Sequence, residues 1–322
     1  MKIKKYKKIF IAGHNGMVGS SILRFVKNNK LAEKIIISNK TKLDLSNKLK
    51  TFNFLKKNRP DAVIICAAKV GGIFANNKYP VDFLLNNLEI QNNLISGCYK
   101  VGIKKILFLG SSCIYPKFYY KKNKSFSEEH ILSNYLELTN EPYAIAKISG
   151  IKLCESYNRQ YNMDYRSIIP CNLYGPKDNY HPKNSHVIPA LIKKFINAKE
   201  KKIKEVNVWG TGNVKREFLH VDDLAKAAFM VLSISKKKYN SLTKDQLSHI
   251  NVGSGKEISI RNLCKLICKV IKYDCKIIFD KSKFDGTKSK LLNIEKILSI
   301  NWEPEIPLSN GISSVVKNRD FN

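Results

Sequence analysis

Tyr143 and Lys147 stand four positions apart in the run Tyr143-Ala-Ile-Ala-Lys147. On a helix that spacing puts both side chains on one face. An ammonium beside a phenol favours the phenolate and lowers tyrosine's ordinary pKa of about 10. Such a tyrosine gives or takes a proton near neutral pH. Ser111 follows the apolar run 106–110, where its hydroxyl can hold a substrate carbonyl. The chemistry these types suggest is proton transfer at a carbonyl or alcohol oxygen. The Tyr-x-x-x-Lys spacing alone arises often by chance. It gains meaning beside a second motif.

That motif is Gly13-His14-Asn15-Gly16-Met17-Val18-Gly19, set between a short apolar run and an amphipathic segment. Glycines permit a tight turn and close backbone approach, and a helix N-terminus offers free N–H groups and a positive dipole end to a pyrophosphate. A dinucleotide fold that prefers NAD usually ends its second strand with Asp or Glu, which grips the ribose 2′-hydroxyl. Here that stretch reads Ile37-Ser38-Asn39-Lys40-Thr41-Lys42. With cations and no carboxylate, NADP(H) is the expected cofactor. Lys40 and Lys42 read otherwise as two more surface lysines.

The elements that position these groups follow from apolar spacing. Strands are expected at 9–12, 34–38, 62–68, 105–110 and 166–172, with helices at 17–28, 81–101 and 143–161. Alternating βα units with buried strands mean an α/β fold with a doubly wound parallel Rossmann sheet, whose ligands bind beyond the strands' carboxyl ends. The second half is less regular. Helices are expected at 187–198, 222–232 and 260–271, and strands at 206–210, 250–253 and 276–280. This reads as a smaller α/β substrate-binding lobe interleaved with returns to the first sheet. Residues 1–175 and about 215–255 are assigned to the NADP-binding Rossmann domain. Residues about 176–214 and 256–322 are assigned to the substrate lobe.

Composition bounds the alternatives. The chain has 322 residues, with 57 Lys+Arg against 26 Asp+Glu, a net charge of +31. The lysines are scattered and accompany abundant Asn and Ile, so they read as a solvated coat rather than a nucleic-acid footprint. No apolar run approaches the roughly 18 residues of a membrane helix. The basic start, 1–8, precedes an apolar run too short for a signal peptide. The eight cysteines include no C-x-x-C pair and none at zinc spacing, so no metal site is expected. Their apolar settings suggest packed thiols in a reducing cytoplasm.

The loop, Ser111, and Tyr143 with Lys147 resemble the extended short-chain dehydrogenase/reductases that act on nucleotide sugars. The runs IAGHNGMVGS, AAKVGGIFANN, LGSSCIYPK, EPYAIAKISGIKLCESYNRQY, NLYGP, SHVIPAL and REFLHVDD resemble, more narrowly, the GDP-L-fucose synthase family. The resemblance spans almost the whole chain. It implies a substrate, GDP-4-keto-6-deoxy-D-mannose, that is epimerised at C3 and C5 and then reduced at C4 by NADPH. The protons on C3 and C5 are acidic because the C4 ketone takes the charge as an enolate.

Under that resemblance Tyr143 protonates the C4 oxygen, Ser111 hydrogen-bonds it, and Lys147 binds the nicotinamide ribose and tunes Tyr143. Cys113 and His186 match the family's acid/base pair. A thiol of pKa about 8.5 and an imidazole of about 6.5 each exchange protons near pH 7 with modest tuning. Taken alone, Cys113 reads as a packed thiol and His186 as a neighbour of a helix start. Cofactor contacts carry over to Leu109, Gly110, Ser111, Ser112, Pro170, Cys171, Asn172, Leu173 and His186. Lys40 falls where an arginine for the 2′-phosphate is frequent, and Asn15 replaces another arginine. The GDP positions carry over to Lys194, Trp209, Arg216 and Asp285. Trp209 reads also as a core anchor, and His220-Val221-Asp222-Asp223 as a helix cap.

Sister enzymes fit less well. A 4,6-dehydratase needs a carboxylic acid where this chain has Ser111-Ser112-Cys113, and a 4-epimerase retains NAD and needs no second acid/base pair. A non-enzymatic Rossmann regulator would not need Tyr143 or Lys147. The family expectation is a homodimer built on the helices 81–101 and 143–161. Leu84, Leu85, Leu88, Leu94 and Ile95 serve there or against the sheet.

Overall fold

The computed structural model describes residues 3–117, 125–181, 185–282 and 288–318. The first part of the chain runs β1 (Tyr6–Ala12), α1 (Met17–Asn28), β2 (Ala32–Ile36), α2 (Lys48–Asn58), β3 (Ala62–Ile65), α3 (Ile73–Lys78), α4 (Pro80–Lys100), β4 (Lys105–Leu109), α5 (Glu141–Tyr161) and β5 (Asp164–Pro170). It continues with β6 (Asn172–Tyr174), α6 (Val187–Glu200), β7 (Glu205–Trp209), β8 (Lys215–His220), α7 (Val221–Ser233), α8 (Lys236–Leu242) and β9 (His249–Val252). β10 (Glu257–Ser259), α9 (Ile260–Ile271), β11 (Lys276–Asp280), α10 (Glu295–Leu298) and α11 (Leu308–Lys317) complete it.

Six strands form one sheet in the order β2-β1-β3-β4-β5-β9, and every pairing in it is parallel. This is the expected doubly wound sheet. β3 is Ala-Val-Ile-Ile and wholly buried, as a central strand covered on both faces must be. The winding direction changes between β1 and β3, so the crevice at their carboxyl ends is the natural ligand site.

A second layer carries the smaller lobe. β6, β8 and β10 form a three-stranded sheet, and β7 pairs with β11. Its core includes Ile192 and Phe195 from α6, Leu263 and Ile267 from α9, and Ile312 from α11. α9 is sharply two-faced, with Ser259 capping its start by accepting from the N–H of Asn262. The segment 292–302 was expected with this lobe. Its Leu292, Ile297, Ile300 and Trp302 pack instead in the first core. There the indole N–H of Trp302 donates to the carbonyl of Asp223, and the Asp223 carboxylate accepts from the N–H groups of Glu305 and Ile306.

The long connection between β4 and α5 is tied to β9 by buried polar contacts. The Tyr115 hydroxyl donates to Asn251, Asn251 Nδ2 donates to the Phe126 carbonyl, and the Asn251 N–H donates to Glu128. Burial raises the Tyr115 hydroxyl far above its ordinary pKa, so it stays a donor. Leu94 and Ile95 of α4 are fully buried in the first core, whereas Leu85 is exposed. The first two therefore pack on the sheet side and are not free for a partner.

Candidate active site

The chain turns sharply on leaving β1. Gly13 has φ +88, and a Cβ there would lie 2.6 Å from the backbone nitrogen of Ala67, after β3. A side chain at Gly19 would run into the carbonyl of Gly13. The glycines thus let three backbone segments meet at the switch point. Gly16 begins α1 with no side-chain cap and no acidic residue in the first turn. The N–H groups there, with Asn15, Met17 and Val18 around them, fit a diphosphate. His14 Nδ1 is buried without a partner. Burial, then the Lys177 ammonium, hold this imidazole below its ordinary value, so it is neutral. Lys177 brings the loop after β6 over the glycine turn.

Beyond β2, Lys40 and Lys42 are exposed. Asn39 organises the turn by accepting from Thr41 Oγ1 and from the N–H of Lys42. The carboxylate of Asp44 is occupied by Ser46, whose N–H and hydroxyl donate to it. The strand end therefore presents cations, which fits a 2′-phosphate. On the other side of the crevice, the Gly110 N–H donates to Ile168, and the Cys171 N–H donates to Val252. Ser112, Pro170 and Cys171 are buried beside Leu109, Leu173 is half-buried, and Asn172 reaches across to donate to the Glu217 carbonyl at 3.0 Å.

The reactive groups gather at the end of β4. Ser111 caps the short turn that follows, its hydroxyl accepting from the N–H of Cys113 at 3.3 Å. The same hydroxyl and Cys113 both lie close enough to the Tyr143 phenol to act on its charge. So Ser111, Cys113 and Tyr143 come together although 32 residues separate the first from the last. Phe83 meets the Tyr143 ring edge-on, with centroids 6.2 Å apart.

Lys147 lies one helical turn below Tyr143 and is 4% exposed. Its Nζ sits 5.8 Å from the centre of the Tyr143 ring and donates to the Leu109 carbonyl at 2.9 Å. The expectation of a depressed phenol is corrected here. Burial, then Cys113, push the Tyr143 hydroxyl up, and this outweighs the lowering influence of Ser111. Burial also brings the Lys147 amine down to about 8. The cation responds more to its own desolvation than it gives to the tyrosine.

His186 is the N-cap residue of α6. It is open to solvent, but protein crowds it enough to hold its imidazole below the ordinary value. An accessible side chain in a concave surface gives that combination. His186 stands on a different element from Cys113, and among the described residues no hydrogen bond joins them.

In the smaller lobe, Lys194 of α6 donates to the Asn207 carbonyl of β7 at 2.8 Å. Burial lowers its pKa. Trp209 ends β7 and is 69% exposed, so it anchors no core and its ring is free for a ligand. Arg216 lies on β8 opposite Ile258 of β10. Asp285 lies outside the described residues. His220 caps α7 as expected, its Nδ1 accepting from the N–H of Asp222.

Two residues escaped the sequence reading. Asn140, just before α5, donates from Nδ2 to the Cys113 sulfur at 3.4 Å. Lys290 is enclosed near Cys113, Arg216 and Glu137, and burial lowers its pKa most. Its segment is pinned from several sides. The Lys290 N–H and Ser289 hydroxyl donate to Glu257, the Leu292 N–H donates to Glu217, and the Phe126 N–H donates to Leu291. Lys290 and Arg216 thus link the reacting groups to the smaller lobe with positive charge.

A Rossmann sheet with a glycine turn, and a tyrosine and lysine set four apart beyond β4, defines a class of nucleotide-cofactor enzymes. The chain belongs to the NAD dependent epimerase/dehydratase family, whose pattern matches residues 9–253. It is 48% identical over 308 residues to GDP-L-fucose synthase of Escherichia coli (strain K12), covering 96% of this chain and 95% of that protein. The structure resembles MlghC, a GDP-mannoheptose C4 reductase from Campylobacter jejuni solved with NADP bound. That match has a TM-score of 0.85 and 32% identity, and covers 98% of each chain. A GDP-L-fucose synthetase from Naegleria fowleri bound to NADP also matches with a TM-score of 0.85, at 25% identity, over 98% of this chain and 95% of that one.

Proposed function

We propose that this chain is an NADP-dependent epimerase-reductase that converts GDP-4-keto-6-deoxy-D-mannose to GDP-L-fucose. The observation that carries the reading is the contact of Ser111, Cys113 and Tyr143 at one carboxyl end of the sheet, beside a turn shaped for a diphosphate. A carbonyl oxygen held by the Ser111 and Tyr143 hydroxyls is polarised, which acidifies the protons on both neighbouring carbons. Cys113 and His186 are suited to move those protons off and on. The high pKa of Tyr143 keeps it protonated, so it donates to the C4 oxygen when that oxygen gains charge. NADPH, when bound, supplies the hydride. Lys147 fixes the floor through Leu109, and Lys40, Gly13, Gly16 and Gly19 serve the cofactor's phosphates. Lys194, Trp209, Arg216 and Asp285 serve the GDP moiety.

Two further assignments belong to this reading. Val81 and Leu85 of α4, Ile145 of α5 and Leu138 before it are exposed apolar residues, which supports a homodimer on that helix pair. The eight thiols are all free, which fits a reducing cytoplasm. No helix among the described residues is long and apolar enough to cross a membrane.

The test is direct. Supply the 4-keto sugar with NADPH or NADH in D₂O, follow cofactor oxidation, and identify the sugar. The expected result is GDP-L-fucose with deuterium at C3 and C5 and a preference for NADPH. Reduction without deuterium at those carbons would mark a plain C4 reductase. No oxidation of NADPH by folded protein would overturn the reading.

A further inference from the structure

Asn140 occupies the N-cap position of α5, yet its side chain makes no cap hydrogen bond. Asn is among the best capping residues because its side-chain oxygen can accept a free N–H of the first turn. Here its Oδ1 is buried with no partner, while its Nδ2 donates to the Cys113 sulfur at 3.4 Å. The residue forgoes the cap and leaves an acceptor unsatisfied. Both cost stability, so a contact that brings only a weak sulfur bond to the folded state calls for another explanation.

We propose that Asn140 is a positioning residue for epimerisation, its amide N–H holding the Cys113 sulfur beside Tyr143 and favouring the thiolate. This rests on the proposed function. A donor to sulfur stabilises the ionised form over the thiol. In the step served, the thiolate removes the proton from a carbon next to the ketone. The C–H electron pair moves into the ring bond and onto the C4 oxygen, and the sulfur ends as a thiol. A proton delivered to the other face inverts the carbon, and the thiol returns its proton to solvent.

Among the described residues, three side chains besides Asn140, with their neighbours, face Cys113. Ser111 accepts from its backbone N–H, and the Tyr143 phenol lies on α5. The Lys290 ammonium approaches from the segment before α10, with Arg216 and Glu137 acting on it.

The experiment follows alkylation of Cys113 by iodoacetamide against pH, read by mass spectrometry of its peptide, in wild type, Asn140→Ala and Asn140→Asp. The midpoint is expected to rise by about one pH unit in Asn140→Ala, or about tenfold less thiolate at pH 7. It should rise further in the near-isosteric Asn140→Asp. Deuterium wash-in at C3 and C5 should fall about tenfold at pH 7 and recover towards pH 9, with NADPH binding unchanged. An unshifted midpoint in the folded variants, or a loss of exchange that high pH does not restore, would overturn the proposal. Should Asn140→Ala not fold, Asn140→Asp alone decides. Midpoints that shift as expected in the variants, beside a wild type that turns over no 4-keto sugar, would count against the proposed function instead.

Discussion

Lys147 directs its ammonium to the Leu109 carbonyl, 2.9 Å away at the end of β4. The bond ties α5 to the strand that delivers Ser111, so the helix carrying Tyr143 and the turn carrying Cys113 are held in register by one buried cation. A thiol on the loop after β3, Cys66, faces the same amine, and burial pushes it up to about 12. It therefore gives the amine no full counter-charge at neutral pH.

That arrangement costs stability. With its pKa at about 8 in the fold against an ordinary 10.5, Lys147 charged at pH 7 is disfavoured by about 3 kcal/mol. Its bond to Leu109, from a charged donor, is worth about 2 kcal/mol in return. Between pH 8 and 10.5 the unfolded chain binds more protons at this amine than the folded chain, so stability rises with pH across that window. Lys147→Met should therefore be more stable than wild type at pH 7 by about 1 kcal/mol in urea unfolding, with turnover lost. The gain should vanish by pH 10.5. An equal difference at both pH values would contradict this.

The glycine turn offers a paired comparison. Gly13→Ala combines φ +88 with a Cβ 2.6 Å from the Ala67 nitrogen, and should cost about 2–4 kcal/mol. At Gly16 a Cβ would meet only the Gly13 carbonyl, at 3.6 Å. Gly16→Ala should fold with less than about 1 kcal/mol of loss and yet bind NADPH weakly, because the methyl separates backbone from diphosphate. Thermal melting and cofactor fluorescence would separate the two effects. Equal melting temperatures for the two variants would show the turn is less constrained than described.

Lys40 is exposed and supports no core contact, so Lys40→Glu should leave stability within about 0.5 kcal/mol. Its effect should appear in selectivity. The ratio of kcat/KM for NADPH over NADH should drop at least tenfold, about 1.4 kcal/mol. A ratio that stays put would move the 2′-phosphate contact to another residue, with Lys42 the next to test.

Trp209 combines 69% exposure with a place at the end of β7. Trp209→Ala should barely alter folding, yet raise KM for the GDP-sugar about tenfold with kcat nearly unchanged, as loss of uniform binding does. A large drop in thermal stability instead would mean the indole packs rather than binds.

Elements with strong local spacing are legible in the sequence itself. The expected segments 17–28, 260–271 and 276–280 coincide with α1, α9 and β11. α2 was missed because Lys48–Asn58 is mostly polar and buries only Thr51 and Leu55. β8 was missed as a strand because it carries Glu217 inward. That carboxyl is satisfied by the N–H groups of Gly255 and Leu292, partners no local pattern announces. Burial pushes it up to about 7.

At the site, Tyr143, Lys147 and Ser111 stood out through spacing and type, and Cys113 and His186 through family likeness. The direction of the Tyr143 shift did not, because helical spacing reports proximity but not desolvation. Asn140 and Lys290 were invisible for a related reason. Their importance comes from meeting Cys113, and neither lies near it in sequence.

Trp302 and Ile300 fill the first core beneath α7, and the last strand of the main sheet, β9, is also late in the chain. During synthesis the nucleotide-binding half therefore cannot close while its C-terminal third is still inside the ribosome tunnel. A protein cut after the final sheet strand would leave an indole-sized hole and an exposed apolar wall. Gene truncations or split chains at that junction should depend on chaperones, and the enzyme is better divided, if at all, elsewhere on its surface.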